Sequence, residues 1–172
     1  MLNSVGRHLS HAPGPPMLER LRLSTLQSGL VLFWALWLSL VTLTNTFDAL
    51  RQLGLLPEAF TFASYNFDLV RETVGAHGIG TPLAVLLFAG VLVWELLASL
   101  LLWRAWAAML HGAHGTAAEV TQAFVLSLAL WAAFLIATEM TVNYVTAGTH
   151  KSTLIAQLAT LLVIRSRLAP GE

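Results

Sequence analysis

The chain contains no cysteine, which excludes disulfides, iron–sulfur clusters, thiolate metal sites and thiol catalysis together. Charge is almost as scarce. Lys, Arg, Asp and Glu make up 10% of the 172 residues, against about 25% in soluble domains. Nine basic and nine acidic residues balance to zero, so no basic field points to nucleic acid. No His-Glu-x-x-His run, phosphate-cradling glycine loop or Gly-x-Ser-x-Gly elbow occurs; nucleotide and zinc hydrolase chemistry lack their residues.

What is abundant is hydrocarbon. Hydrophobic residues reach 56% and the mean hydropathy is +0.72, so the solvent for this surface is lipid. Apolar stretches run over about 24–44, 82–103, 117–138 and 151–164. The first three each match the roughly 20 residues that cross a ~30 Å hydrocarbon core. The fourth is short, but Lys151 and Arg165 at its ends can snorkel, and 149–167 is helix-compatible. The first stretch is too long for a signal-peptide core and no small-x-small site follows it closely, so it reads as a signal anchor. The expectation is an all-α protein: a four-helix transmembrane bundle over 24–167, a loose N-terminal tail over 1–23 containing "HAPGPP", and a C-terminal tail over 168–172.

Basic residues set the orientation. Arg7, Arg20, Arg22, Arg104, Arg165 and Arg167 fall on one side and Arg51, Arg71 and Lys151 on the other. This places both termini in the cytoplasm of a multi-pass protein of the bacterial inner membrane. "HGAHG" is a tight Gly-rich inner turn that makes spans two and three antiparallel neighbours. The first outer loop, 45–81, is long. Pro57 is placed to open a helix, and Phe60, Ala63, Phe67, Val70 and Val74 recur at three and four opposite Glu58, Thr61, Ser64, Asp68, Arg71 and Glu72. That pattern predicts an amphipathic helix over 58–74, lying on the outer membrane face or docked on a partner.

"VLVWELLASLLLW", residues 91–103, holds a single carboxylate, Glu95. A charge at mid-bilayer costs about 2.5–3.5 kcal/mol and normally turns inward to a partner. At ~1.5 Å rise per residue, Glu95 is expected level with Trp34 and Ser127, as a protonated group donating to Ser127 or as a carboxylate facing a quinone or a proton path. Ala98 and Ser99 follow on nearly the same face and allow close helix contact. A second polar set, Asn45, Asp48, Arg51, Glu139, Asn143, Tyr144, His150 and Lys151, converges on the outer rim. It reads as interfacial polarity, with Glu139 and Lys151 paired and Asn45 capping or bridging helix ends, or as a small site with Glu139 or His150 as acid/base. All six His lie outside the spans, whereas a haem in a bundle needs His ligands inside. His111 and His114 sit in the Gly-rich turn, where a shared metal is the lesser reading. Trp103 and Trp106 fit an interfacial belt, while Trp34, Trp37, Trp94 and Trp131 lie deeper, as core packing or facing a flat lipid-soluble ligand.

"TNTFD", "FASYNFDLV", a span-two Glu leading into "LLASLLLWRA", and "TEM…NY" together resemble a bacterial family of predicted small integral membrane proteins, over about residues 30–164. In that family Trp would follow the span-three Glu and precede span four; here Met140 and Tyr144 stand there. The resemblance implies the fold and no reaction. The span-two Glu and following Arg also resemble, more faintly, the DoxX group of four-helix membrane proteins, some of which belong to quinone-linked oxidoreductases. The function expected is a non-catalytic accessory or structural subunit of a larger bacterial membrane complex, with a respiratory or photosynthetic electron-transfer assembly as host. Its partners would be other membrane subunits and the lipid bilayer, with no nucleic acid, no cofactor of its own and no metal. The alternative is a redox protein binding quinone or lipid through Glu95 or the rim. A small transporter comes third, because it would need discontinuous helices or paired repeats.

Overall fold

The computed structural model describes residues 17–112 and 116–168, with side chains over 24–112 and 116–166. Five helices follow one another: α1 Met17–Gln52, α2 Asn66–Ala76, α3 Thr81–His111, α4 Thr116–Met140 and α5 Tyr144–Leu168. No strand occurs among the described residues. The fold is a helical bundle, and α1 from Ser24 onward, α3 and α4 are each long and apolar enough to cross a membrane. Residues 17–23, expected within a loose tail, form the first turns of α1. The remainder of that tail, the middle of the Gly-rich turn with His114, and residues 169–172 lie outside the described residues.

The four long helices neighbour one another in the order α1, α3, α4, α5, and α5 returns to touch α1. Side-chain pairs fix the register. Asn45 meets Glu95 and Ser39 meets Ser99 between α1 and α3; Trp94 meets the Leu126 carbonyl between α3 and α4. Gln157 meets Ser127 between α5 and α4, and Trp34 meets Thr160 between α1 and α5. Every one of these pairs is antiparallel. α3 packs through a stripe of small residues, with Ala84, Ala98, Ser99, Ala105 and Ala108 buried, which lets backbones approach where lipid supplies no hydrophobic drive between helices. The outward face of α1 is the reverse of a soluble helix: Phe33, Leu36, Leu40 and Leu43 recur at three and four and are all exposed.

Turns are closed by left-handed caps. After α1, Gly54 takes φ 71° while Leu55 N–H bonds the Leu50 carbonyl and Gly54 N–H the Arg51 carbonyl. After α2, Gly78 repeats this with Ile79 to Val74 and Gly78 to Gly75. Glycine takes such a φ without a Cβ penalty. After α4 the same two bonds run from Asn143 to Thr138 and from Val142 to Glu139, but the left-handed residue is Val142, φ 55°.

The amphipathic segment is shorter and later than the pattern predicts. Residues 57–63 form turns (Phe60 N–H to the Pro57 carbonyl, Ala63 N–H to the Phe60 carbonyl), and helix begins at Asn66. Its apolar face turns onto the chain itself. Phe67 and Val74 are buried with Ala84 and Phe88 of α3, Val70 packs beside them, and the Phe67 and Phe88 rings meet edge-on at 5.5 Å. Phe60 instead packs on Phe47 of α1, 5.2 Å between centroids. Periodicity located the apolar stripe but not what it would cover, because α3 extends far enough to offer a face. Phe67→Ala removes the central ring of this contact, a change that costs about 3–5 kcal/mol in a packed core. We expect limited proteolysis within residues 53–80 to accelerate more than roughly tenfold, while the far-ultraviolet helical signal of the remaining bundle persists.

Candidate functional site

The densest polar cluster lies where α2 crosses the ends of α1 and α3. Glu95 is fully buried. Both of its carboxylate oxygens accept from Asn45 Nδ2, at 2.7 and 2.9 Å. Asn45, 2% exposed, in turn accepts from Asn66 Nδ2 at 2.8 Å through its own carbonyl oxygen. The chain Asn66–Asn45–Glu95 therefore runs from the exposed first residue of α2 to a carboxylate in the bundle interior.

Glu95 thus accepts, where the sequence led us to expect a donor to Ser127. The level was right, since the adjacent Trp94 reaches the carbonyl of Leu126, next to Ser127. One residue along a helix is a 100° rotation, and Glu95 faces α1 while Trp94 faces α4. Ser127 is occupied by Gln157 Nε2 at 2.8 Å. Trp34 lies eleven residues before Asn45 on α1 and donates to Thr160 Oγ1 at 3.1 Å. The offset arises because α1 continues to Gln52, two turns past the end of its apolar run, which slides its polar end down to Glu95.

Asp48, one turn beyond Asn45 and fully buried, is the second anchor. Its Oδ1 accepts from Arg51 Nη2 at 2.8 Å and Nε at 3.2 Å. Its Oδ2 accepts from the backbone N–H of Phe67 at 2.8 Å and from Ser64 Oγ at 3.4 Å. A helix start leaves its first N–H groups without partners and favours negative charge beside them. The residue at the N-cap of α2, Tyr65, supplies no side-chain cap, so a carboxylate from α1 does so in its place. Arg51 also pairs with Asp68, which Arg71 reaches at 3.0 Å and Gln52 Nε2 at 3.3 Å. The Arg51 guanidinium carbon stands 4.3 Å over the Tyr65 ring, a cation–π contact. Tyr65 is held at φ 60°, and its hydroxyl reaches the carbonyls of Glu58 and Phe60.

The expected outer rim is two separate groups. Asn45, Asp48 and Arg51 join α2, whereas Glu139, Asn143, Tyr144, His150 and Lys151 gather at the α4–α5 turn, with no hydrogen bond or ion pair between the groups among the described residues. Asn143 caps α5, its Oδ1 accepting from Thr146 N–H at 3.2 Å. Glu139 and Lys151, expected to pair, are both exposed. The ion pairs found among the described residues are Arg51–Asp48, Arg51–Asp68, Arg71–Asp68 and Arg104–Glu119. His150 meets Trp131 and Phe134 as tilted rings, at 5.8 and 5.1 Å between centroids. The deep Trp are core: Trp34–Trp37 and Trp37–Trp131 lie 5.5 and 5.3 Å apart. No three His, Asp or Glu side chains among the described residues are grouped to hold a metal ion. At the opposite end of the bundle a cleft of about 650 Å³ lies between the start of α1 and the end of α3; Gln27, Leu32, Trp106 and Met109 are among the described residues that line it, none of which is titratable.

Sequence reading missed Asn66 as the link to Asn45, and Gln157 altogether. Gln157 was detectable, as a lone amide in "LIAQLATLLVI", by the same reasoning that singled out Glu95. No family model, curated protein or solved structure matches this chain.

Chemically, the cluster is a clamp. Each carboxylate oxygen of Glu95, Asp48 and Asp68 accepts a bond from within the chain. Removing one partner of a buried charged group is costly, on the order of 3 kcal/mol. Removing both costs less. We expect Asn45→Leu to destabilise the detergent-solubilised protein by about 3 kcal/mol, Glu95→Gln by about 1 kcal/mol, and Asn45→Leu/Glu95→Leu by less than Asn45→Leu alone. Unfolding titrations of these proteins and of Glu95→Leu close the cycle from the unaltered chain through Asn45→Leu and Glu95→Leu to the double variant, and give the coupling energy.

Proposed function

We propose that this chain is a membrane-embedded accessory subunit, with α5 as its fourth span and the α2 layer and α4–α5 turn as its outer surface. The observation that carries the reading is Val142. A β-branched residue in the left-handed region costs roughly 1–2 kcal/mol, and the equivalent caps after α1 and α2 avoid that cost with Gly54 and Gly78. Strain of this kind persists where it serves a site. Here it holds an exposed apolar side chain outward within a patch of Met140, Val142, Tyr144 and Val145, between 65% and 89% exposed. Leu53, Leu55 and Phe62 are exposed on the α2 side. A patch of this kind, rigidly mounted and unmatched by the chain's own core, suits a protein partner.

The clamp favours the same reading over a catalytic one. Glu95 is fully buried and both of its carboxylate oxygens are taken up by Asn45. A bacterial inner membrane location with both termini cytoplasmic, the resemblance to the small integral membrane proteins, and an electron-transfer assembly as host are parts of this proposal, and they rest on sequence alone.

The test is purification of the tagged chain from native membranes, with Val142→Gly alongside. The wild-type chain should bring down larger membrane subunits in fixed ratio. Val142→Gly should stabilise the isolated chain by about 0.5–1 kcal/mol, the left-handed strain relieved less the added chain entropy of glycine, while reducing partner recovery several-fold. A lone 18.6 kDa species, or recovery unaffected by Val142→Gly, contradicts the proposal.

A further inference from the structure

The polar groups at the α2 end are satisfied; those between α4 and α5 are not. Trp34, Trp94 and Trp103 each donate their indole N–H, to Thr160, the Leu126 carbonyl and Ser39 respectively. Trp131, 5% exposed, has no acceptor for its own. Gln157, fully buried, gives Nε2 to Ser127 and leaves Oε1 with no donor. His150 Nδ1 is the third buried atom without a partner. All three side chains belong to the α4–α5 pair. Ser127 and Trp131 are one turn apart on α4, His150 and Gln157 two turns apart on α5, the Trp131 and His150 rings lie 5.8 Å apart, and Ser127 touches Gln157. A buried polar group left unbonded is costly, so each of these atoms calls for a partner.

We propose that the seam between α4 and α5 binds a hydroxyl-bearing guest, which accepts from Trp131 Nε1–H and donates to Gln157 Oε1. The inference is independent of the partner reading. A hydroxyl is the chemistry that fits, because the indole only donates and the amide oxygen only accepts. Turning the Gln157 amide over would leave Nε2 as the unmet atom instead, and a hydroxyl serves that setting too. A guest with carbonyl acceptors alone, such as an oxidised quinone, leaves Oε1 unmet in the amide setting placed here and serves only the turned-over one. The hydroxyl comes from ordered water, which typically makes about three bonds to such groups, or from a lipid-soluble alcohol or phenol such as a quinol.

The experiment is nuclear magnetic resonance of the full chain, ¹⁵N-labelled at tryptophan, in deuterated detergent. Trp131 is assigned by the signal lost in Trp131→Phe or, if that variant does not fold, by elimination with Phe at the other five tryptophans. The Trp131 indole proton should show a cross-peak to water, identifying water as the guest, or to protons of a co-purified lipophile, which organic extraction and mass spectrometry then identify. Gln157→Leu should weaken that cross-peak several-fold. An indole proton with cross-peaks only to neighbouring side chains, or a guest cross-peak unchanged by Gln157→Leu, overturns the proposal.

Discussion

A carboxylate in a lipid-facing bundle is tolerated only with a donor, and for Glu95 that donor is Asn45. Much of the architecture around it follows from supplying that pair. α1 must run past its apolar stretch to bring Asn45 opposite Glu95. The carbonyl of Asn45 then needs a donor of its own, which Asn66 provides from the first turn of α2. α2 in turn needs its leading N–H groups covered, and Asp48, one turn along α1 from Asn45, accepts from Phe67. The two buried acids therefore add polar anchors to the apolar contact of Phe67 and Val74 that seats a short helix against α1 and α3.

This arrangement separates two kinds of polarity in one bundle. At the α2 end, side chains meet one another in a closed set: Asn with Glu, Asp with Arg, Asp with a helix start. Between α4 and α5, the aromatic run ending in Trp131, Phe134 and His150 fills space but leaves Trp131 Nε1 and His150 Nδ1 without bonds. Interiors are packed on shape and on bonding at once. Where only the shape requirement is met from within the chain, the remaining bonds are left for something else.

Much of the fold was legible in the sequence because apolar length and helical period are local properties. The four long helices, the antiparallel pairing of α3 with α4 and the apolar stripe through Phe67, Val70 and Val74 all follow from them. Which face meets which neighbour is not local. Glu95 was placed level with Ser127 on α4 but eleven residues off on α1, at Trp34 instead of Asn45, and its partner was missed because a 100° rotation between Trp94 and Glu95 decides the neighbour and composition carries no information about rotation. The stripe of α2 was assigned to lipid or a partner because nothing in residues 58–74 announces that Ala84 and Phe88 leave a matching groove. The strain at Val142 was invisible for a further reason: valine is ordinary in sequence and unusual only at positive φ.

The central claim is that the Glu95–Asn45–Asp48 set is a clamp that holds α2 on the bundle, and hydrogen exchange tests it most directly. In the intact protein the amides of α2, that of Phe67 above all, should be protected to nearly the same degree as those of α3. In Asp48→Asn their protection should fall by at least roughly tenfold, with α4 and α5 unaffected. Rapid exchange of α2 in the unaltered protein, or a loss of protection spread evenly over all five helices, would contradict the account.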